Sequence, residues 1–242
     1  MKTKLNLFIL FLTSFIFLIL YMNFNRIDHV KIPVKAGLNP IKCTSTNFLL
    51  DEIDSTRQVA PLIENLGSHQ FLIRTDQEEA QVFFNQGLNL AFAFNHAESH
   101  RSFLEASRLD PTAAMTFWGQ AYVLGPNIND QIPDVERRLK AYEANQKALG
   151  LLTNSRPLEK ALINALSKRY SKDTLADLKT LNMSYMQAMS QVAQDYPDNT
   201  DVLTLFAASI MNTVPWDYWD AQGNASPNVP AAKQALEKAM QI

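Results

Sequence analysis

The chain is predicted to be all-α: antiparallel helix pairs stacked into a right-handed superhelix, preceded by an N-terminal hydrophobic helix. Three observations predict it. Apolar residues recur at intervals of three and four almost continuously from Gln77 to the C-terminus, the spacing of a helix with one buried face. Proline-centred breaks close helical hairpins at Asp110-Pro111 and again at Tyr196-Pro197-Asp198-Asn199. Small residues fall where two helices of a hairpin must cross closely.

The beginning of the chain reads differently. Leu5 to Met22 is a run of eighteen residues without a charge, following Lys2 and Lys4. That length and composition suffice to cross a hydrocarbon core. Residues 1–22 are therefore expected to be a transmembrane anchor, with a cleaved signal segment as the alternative. A small-residue cleavage site is absent around Tyr21 to Asp28, which favours retention. Lys2 and Lys4 place the N-terminus inside, although Arg26, Lys31 and Lys35 reduce the contrast. The expected location is thus a single-pass protein of the cytoplasmic membrane, its soluble part extracytoplasmic. A periplasmic or secreted form would follow from cleavage.

Residues 23–67 read as a linker, interrupted by Pro33, Gly37 and Pro40, with a short helix within Leu49 to Leu66. His69 to Asp76 reads as extended, ending at Thr75, which with Glu78 offers a capping box. The helical domain is assigned to residues 68–242. Its first helix, Gln77–Phe92, carries Ala80, Phe83, Phe84, Gly87, Leu88, Ala91 and Phe92 in its apolar stripe. A turn at Phe94-Asn95-His96 leads to a second helix, Ala97–Leu109. One face of it bears Phe103, Ala106 and Leu109. The other alternates charge through Glu98, Arg101, Glu105 and Arg108, which predicts an exposed surface.

The next pair is expected as a helix through Phe117 and Leu124, a loop from Gly125 to Pro133, and a helix from Asp134 to Leu152. A third pair covers Pro157–Arg169 and Leu175–Asp195. The fourth comprises Thr200–Asn212, a long aromatic loop from Pro215 to Pro230, and Ala231–Ile242. On the last helix Ala235, Leu236, Ala239 and Met240 have nothing after them to cover them, which predicts either a longer parent array or a face covered by a partner.

The spacing within the first hairpin follows the tetratricopeptide (TPR) register: Phe83, Gly87, Leu90, Ser99, Phe103, Ala106 and Pro111, with Gln86 where leucine is usual. Pro197 closes the third pair as Pro111 closes the first. Together with the blocks Phe83 to Leu88, Ala93 to His96, Arg101 to Phe103, Trp118 to Ala121, Gly125 to Asn129 and Pro215 to Trp219, these residues make the chain resemble a divergent tetratricopeptide-repeat family of bacterial exported and membrane-anchored proteins. The resemblance spans His69 to the end. It implies a TPR-like superhelix acting as a scaffold for another protein or peptide, and supplies no catalytic set.

Composition narrows the role. The sequence holds 22 basic and 24 acidic side chains, and without Lys2 and Lys4 the remainder is more acidic still. No basic footprint for nucleic acid results. The single cysteine, Cys43, excludes an intrachain disulfide and lacks an activating base nearby. No phosphate-binding glycine loop, nucleophile elbow or HExxH motif occurs, so no catalytic residue and no cofactor is assigned. His96 and His100, four apart with Glu98 between and His69 as a distant third, form a weak metal candidate, because zinc needs three or four protein ligands. Otherwise His96 caps the turn and His100 faces solvent.

Two loops are the candidate interaction sites. In the first, Asn127, Asn129 and Asp130 either face a groove or bond their own backbone. In the second, Trp216, Asp217, Tyr218 and Trp219 either stand exposed as binding anchors or pack to fill the loop. The leading function is a membrane-tethered protein-binding scaffold. The alternatives are an enzyme whose site lies in a missing C-terminal part or is built from His96, Asn127 and Asp217, and a small-ligand pocket near Trp216 and Trp219; the groove-built enzyme requires those three residues in one concavity.

Overall fold

The computed structural model describes residues 57–242. The expected membrane segment, Cys43 and most of the linker lie outside them. Among the described residues there are eight α-helices and no strand, and none of these helices is long and apolar enough to cross a membrane. They are α1 (Glu78–Phe92), α2 (His96–Leu109), α3 (Ala114–Leu124), α4 (Val135–Gly150), α5 (Pro157–Ser167), α6 (Leu178–Asp195), α7 (Thr200–Met211) and α8 (Val229–Ala239). A 3-10 turn, Leu152–Asn154, follows α4.

Each helix packs on the next, and the first helices of neighbouring pairs also meet, α1 with α3 and α3 with α5. Side-chain caps start several helices. Asn95 accepts the amide of Glu98, Asp134 that of Arg137, Asp177 that of Thr180 and Asn199 that of Val202. Thr75 is not the cap of α1; Gln77 holds that position. The Thr75 hydroxyl instead donates to Asp110 Oδ2 at 2.5 Å, joining the start of α1 to the end of α2.

Phe103 is the hinge pin of the first three helices. It is fully buried, its ring 5.3 Å from that of Phe84. A methyl group on Gly87 would stand 2.7 Å from the Phe103 ring, and one on Gly119 closer still. The glycines therefore let α1 and α3 approach α2 with the aromatic between them. Ser99 is buried and donates to the carbonyl of Gly87 at 2.6 Å, while Phe83, Leu90 and Ala106 are also buried. Gln86 is buried as well, where its amide donates to Ser102 and to the carbonyl of Pro61 and accepts the amide of Ile63. Gln120 on α3 is buried in the same manner against Ser107 and the Phe103 carbonyl.

One core runs from α1 to α7, and a smaller one joins Met186, Leu203, Ala207 and Ile210 to Ala232 and Ala235 of α8, with Phe206 bordering both. On α8, Ala235 is thus covered by α7, while Leu236 and Met240 stand exposed.

Four expectations require correction. Of the short helix expected within Leu49 to Leu66, residues 57–66 show none, with Pro61 and the left-handed Asn65 interrupting them, and the rest of that range lies outside the described residues. Ala60 is buried in the main core, so this stretch packs as part of the domain. His100 does not face solvent but is buried, on a helix packed between α1 and α3. Glu105 belongs to no exposed charged face: it is buried, accepting the amide of Val59 at 2.7 Å and the guanidinium of Arg108.

Candidate functional site

The turns within the second, third and fourth helix pairs are tied to one another. Arg169, at the end of α5, is buried and donates to the carbonyl of Pro126 at 2.7 Å and to Asn182 on α6 at 3.0 Å. Trp216, after α7, donates its indole N–H to the carbonyl of Ile128 at 2.8 Å. The two loops singled out in the sequence therefore form one surface.

The first loop is locally closed. Asn127 Oδ1 accepts the amides of Asn129 and Asp130, and the backbones of Asn127 and Asp130 bond each other. Asn127 is consumed by its own turn, Asn129 stands exposed, and Asp130 pairs with the buried Arg137. Gly125 ends α3, with the Tyr170 hydroxyl packed where its side chain would be.

The second loop presents its aromatics outward. Trp216 is 65% exposed and Trp219 56%, as is Ile132 of the neighbouring loop at 77%. The packing alternative for the tryptophans is overturned: the loop is held by its own backbone bonds, so they need not fill it. The Ser226 hydroxyl donates to the Asp217 carbonyl, the Ser226 amide to the Tyr218 carbonyl, and Asp220 accepts the amides of Gln222 and Asn224. Tyr218 is half-buried and meets Trp219 edge-on at 6.2 Å. Trp216 has φ +67°, a left-handed conformation costly for an aromatic residue, maintained by the surrounding turn.

Beside the tryptophans lies an open cleft of about 690 Å³, lined by Ile132, Asp177, Lys179, Asn182, Asn212 and Asp217 among others. Its lining includes Asp217 but neither His96 nor Asn127, so the three groups required by the catalytic alternative do not meet in this cleft.

His96 lies instead among Arg137, Asp130 and Arg169. Burial, followed by the positive charge of Arg137, lowers its pKa to about 4, with Asp130 acting in the opposite direction. Burial, then Lys140 and Arg101, lowers that of His100 to about 4. Glu98 pairs with Arg101, and His69 contacts Asp201 at 2.8 Å. Among the described residues no three His, Cys, Asp or Glu side chains gather as a metal ion requires.

Sequence reasoning missed Arg137 and Arg169, whose burial only the folded loops create. It also missed the use of Gln81, Asn85 and Asn89, although amides four apart on one helix face were visible. No family model, curated protein or solved structure matches the chain.

Proposed function

We propose that this chain is a membrane-tethered TPR-like scaffold, a right-handed superhelix of antiparallel helix pairs that binds another protein through its tied loops. The observation that carries the reading is the exposed aromatic pair, Trp216 and Trp219, in a loop fixed by its own hydrogen bonds and pinned to Ile128. Exposed tryptophans that need no reordering on binding are strong anchors, since they add apolar contact at little entropic cost. Ile132 extends the apolar surface across to the neighbouring loop. The membrane tether rests on the apolar run from Leu5 to Met22.

Tagged full-length chain, crosslinked in its native membrane and purified, tests this against the Trp216→Ala/Trp219→Ala variant. The expected result is one stoichiometric protein partner with the wild type and at least a tenfold loss with the variant. Equal recovery by both chains, or no partner with either, counts against the loops as a docking surface.

A further inference from the structure

The segment His69 to Arg74 lies on the helical domain as an extended peptide held on both edges by side chains. On one edge stand three amides of α1, spaced one helical turn apart. Asn89 donates to the carbonyl of His69 at 3.2 Å, Asn85 accepts the amide of Phe71 at 3.1 Å, and Gln81 bonds the carbonyl of Phe71 and the amide of Ile73, both at 2.9 Å. On the other edge, Arg156 donates to the carbonyl of Leu72 at 3.2 Å and Glu159 accepts the amide of Arg74 at 2.6 Å.

The spacing has a physical basis. Four residues of helix advance about 6.0 Å. Two residues of strand advance about 6.7 Å, so amides at every fourth helical position stay in step with alternate residues of an extended chain over three repeats. The side chains alternate as well: Phe71 and Ile73 are buried, Leu72 and Arg74 exposed. Phe71 sits 6.0 Å from the ring of Phe84, and Gln81 donates to Asn85 at 2.9 Å, which orients both amides.

Hydrogen bonds to a main chain do not depend on which side chains that chain carries; only the two apolar sockets do. We propose that this face of α1 and the start of α5 form a recognition site for extended peptides with an aromatic residue and, two positions later, a branched aliphatic one. The segment 69–74 is its tethered occupant, and a peptide of the same pattern competes for the site. The surface is separate from the tryptophan loops, and the inference does not depend on them.

Two measurements on the full chain in detergent micelles test it. In the first, a fluorescein-labelled peptide of residues 67–76 is titrated by anisotropy. A Phe71→Ala chain, whose own segment is held less firmly, is expected to bind at least tenfold more tightly than the wild type, and adding Gln81→Ala is expected to remove that gain. Equal affinity, or a gain that survives Gln81→Ala, overturns the proposal. The second uses wild-type chain and so does not depend on the variants folding. Excess unlabelled peptide is expected to speed hydrogen exchange at the amides of Phe71 and Ile73 at least tenfold while those of Phe84 and Leu88 stay protected. If the peptide leaves both amides exchanging at the rate of the α1 core, the segment is a permanent part of the core and the proposal fails. The Trp216→Ala/Trp219→Ala variant is expected to give wild-type values in both measurements.

Discussion

Trp216 donates its indole N–H to the carbonyl of Ile128 at 2.8 Å, joining loops 88 residues apart in the sequence. The bond fixes one exposed tryptophan of the proposed docking surface against a loop of another helix pair.

Replacing that tryptophan by phenylalanine keeps the ring and removes the donor. Because the bond is exposed, Trp216→Phe is expected to cost only about 0.5–1.5 kcal/mol of global stability. Its effect is local: amide hydrogen exchange over residues 214–219 and 127–130 accelerates while that of α3 is unchanged. Uniform acceleration across the domain contradicts this.

The glycines around Phe103 predict a contrast. Gly87→Ala and Gly119→Ala each force a methyl group into the Phe103 ring, where it has no room to move. Each is expected to lower stability by about 1–3 kcal/mol in urea titrations, the range for overpacking a core. Gly150, with nothing within 4 Å of an added Cβ, is the control. Gly150→Ala is expected to be neutral or to stabilise by up to about 1 kcal/mol.

His96 and His100 predict an acid sensitivity. Both have folded pKa values near 4, below the ordinary 6.5, so between these values the unfolded chain binds more protons. Their contribution is therefore present above pH 6.5 and is lost as pH falls toward 4. Each histidine contributes on the order of 2–3 kcal/mol to this slope. The groups around them are Arg137, Asp130 and Arg169 for His96, and Lys140 and Arg101 for His100. Urea midpoints of wild type and His96→Gln, measured at pH 7 and pH 4.5, check this: the variant is expected to lose less stability over the interval.

Glu159 joins the extended segment to α5. Its carboxylate is buried and accepts the amides of Arg74 and Arg156. Glu159→Ala leaves both without that acceptor and is expected to cost about 2–4 kcal/mol, a penalty for two lost charge-assisted bonds. Glu159→Gln retains an acceptor oxygen and is expected to recover part of it. Thermal unfolding of the three chains decides the order.

Much of this fold was legible before any coordinates. The three- and four-residue periodicity of Phe83, Phe84, Gly87 and Leu88 located α1 to within a residue, and Asp110-Pro111 marked the end of α2. These signals are local, since period and chain breaks follow from backbone geometry. What stayed hidden depends on partners distant in sequence. Glu105 read as a surface charge because its neighbours Arg101 and Arg108 suit an exposed helix face, yet the amide of Val59 reaches it across 46 positions. His100 read as exposed because the packing of α2 between α1 and α3 cannot be placed from α2 alone. The aromatic loop was ambiguous because residue types do not reveal whether Trp216 bonds within its turn or outside it. Only the extended segment had a readable but unused sign, the amides of Gln81, Asn85 and Asn89 at four-residue intervals.

The proposed docking surface is tested most directly by placing a photo-crosslinking residue at position 219 in the full-length chain in its native membrane. Leu175, 91% exposed in the loop between α5 and α6, provides the control position. The account predicts one discrete protein adduct from position 219, at least tenfold above that from position 175. Equal adducts from both positions, or none from 219, would contradict it.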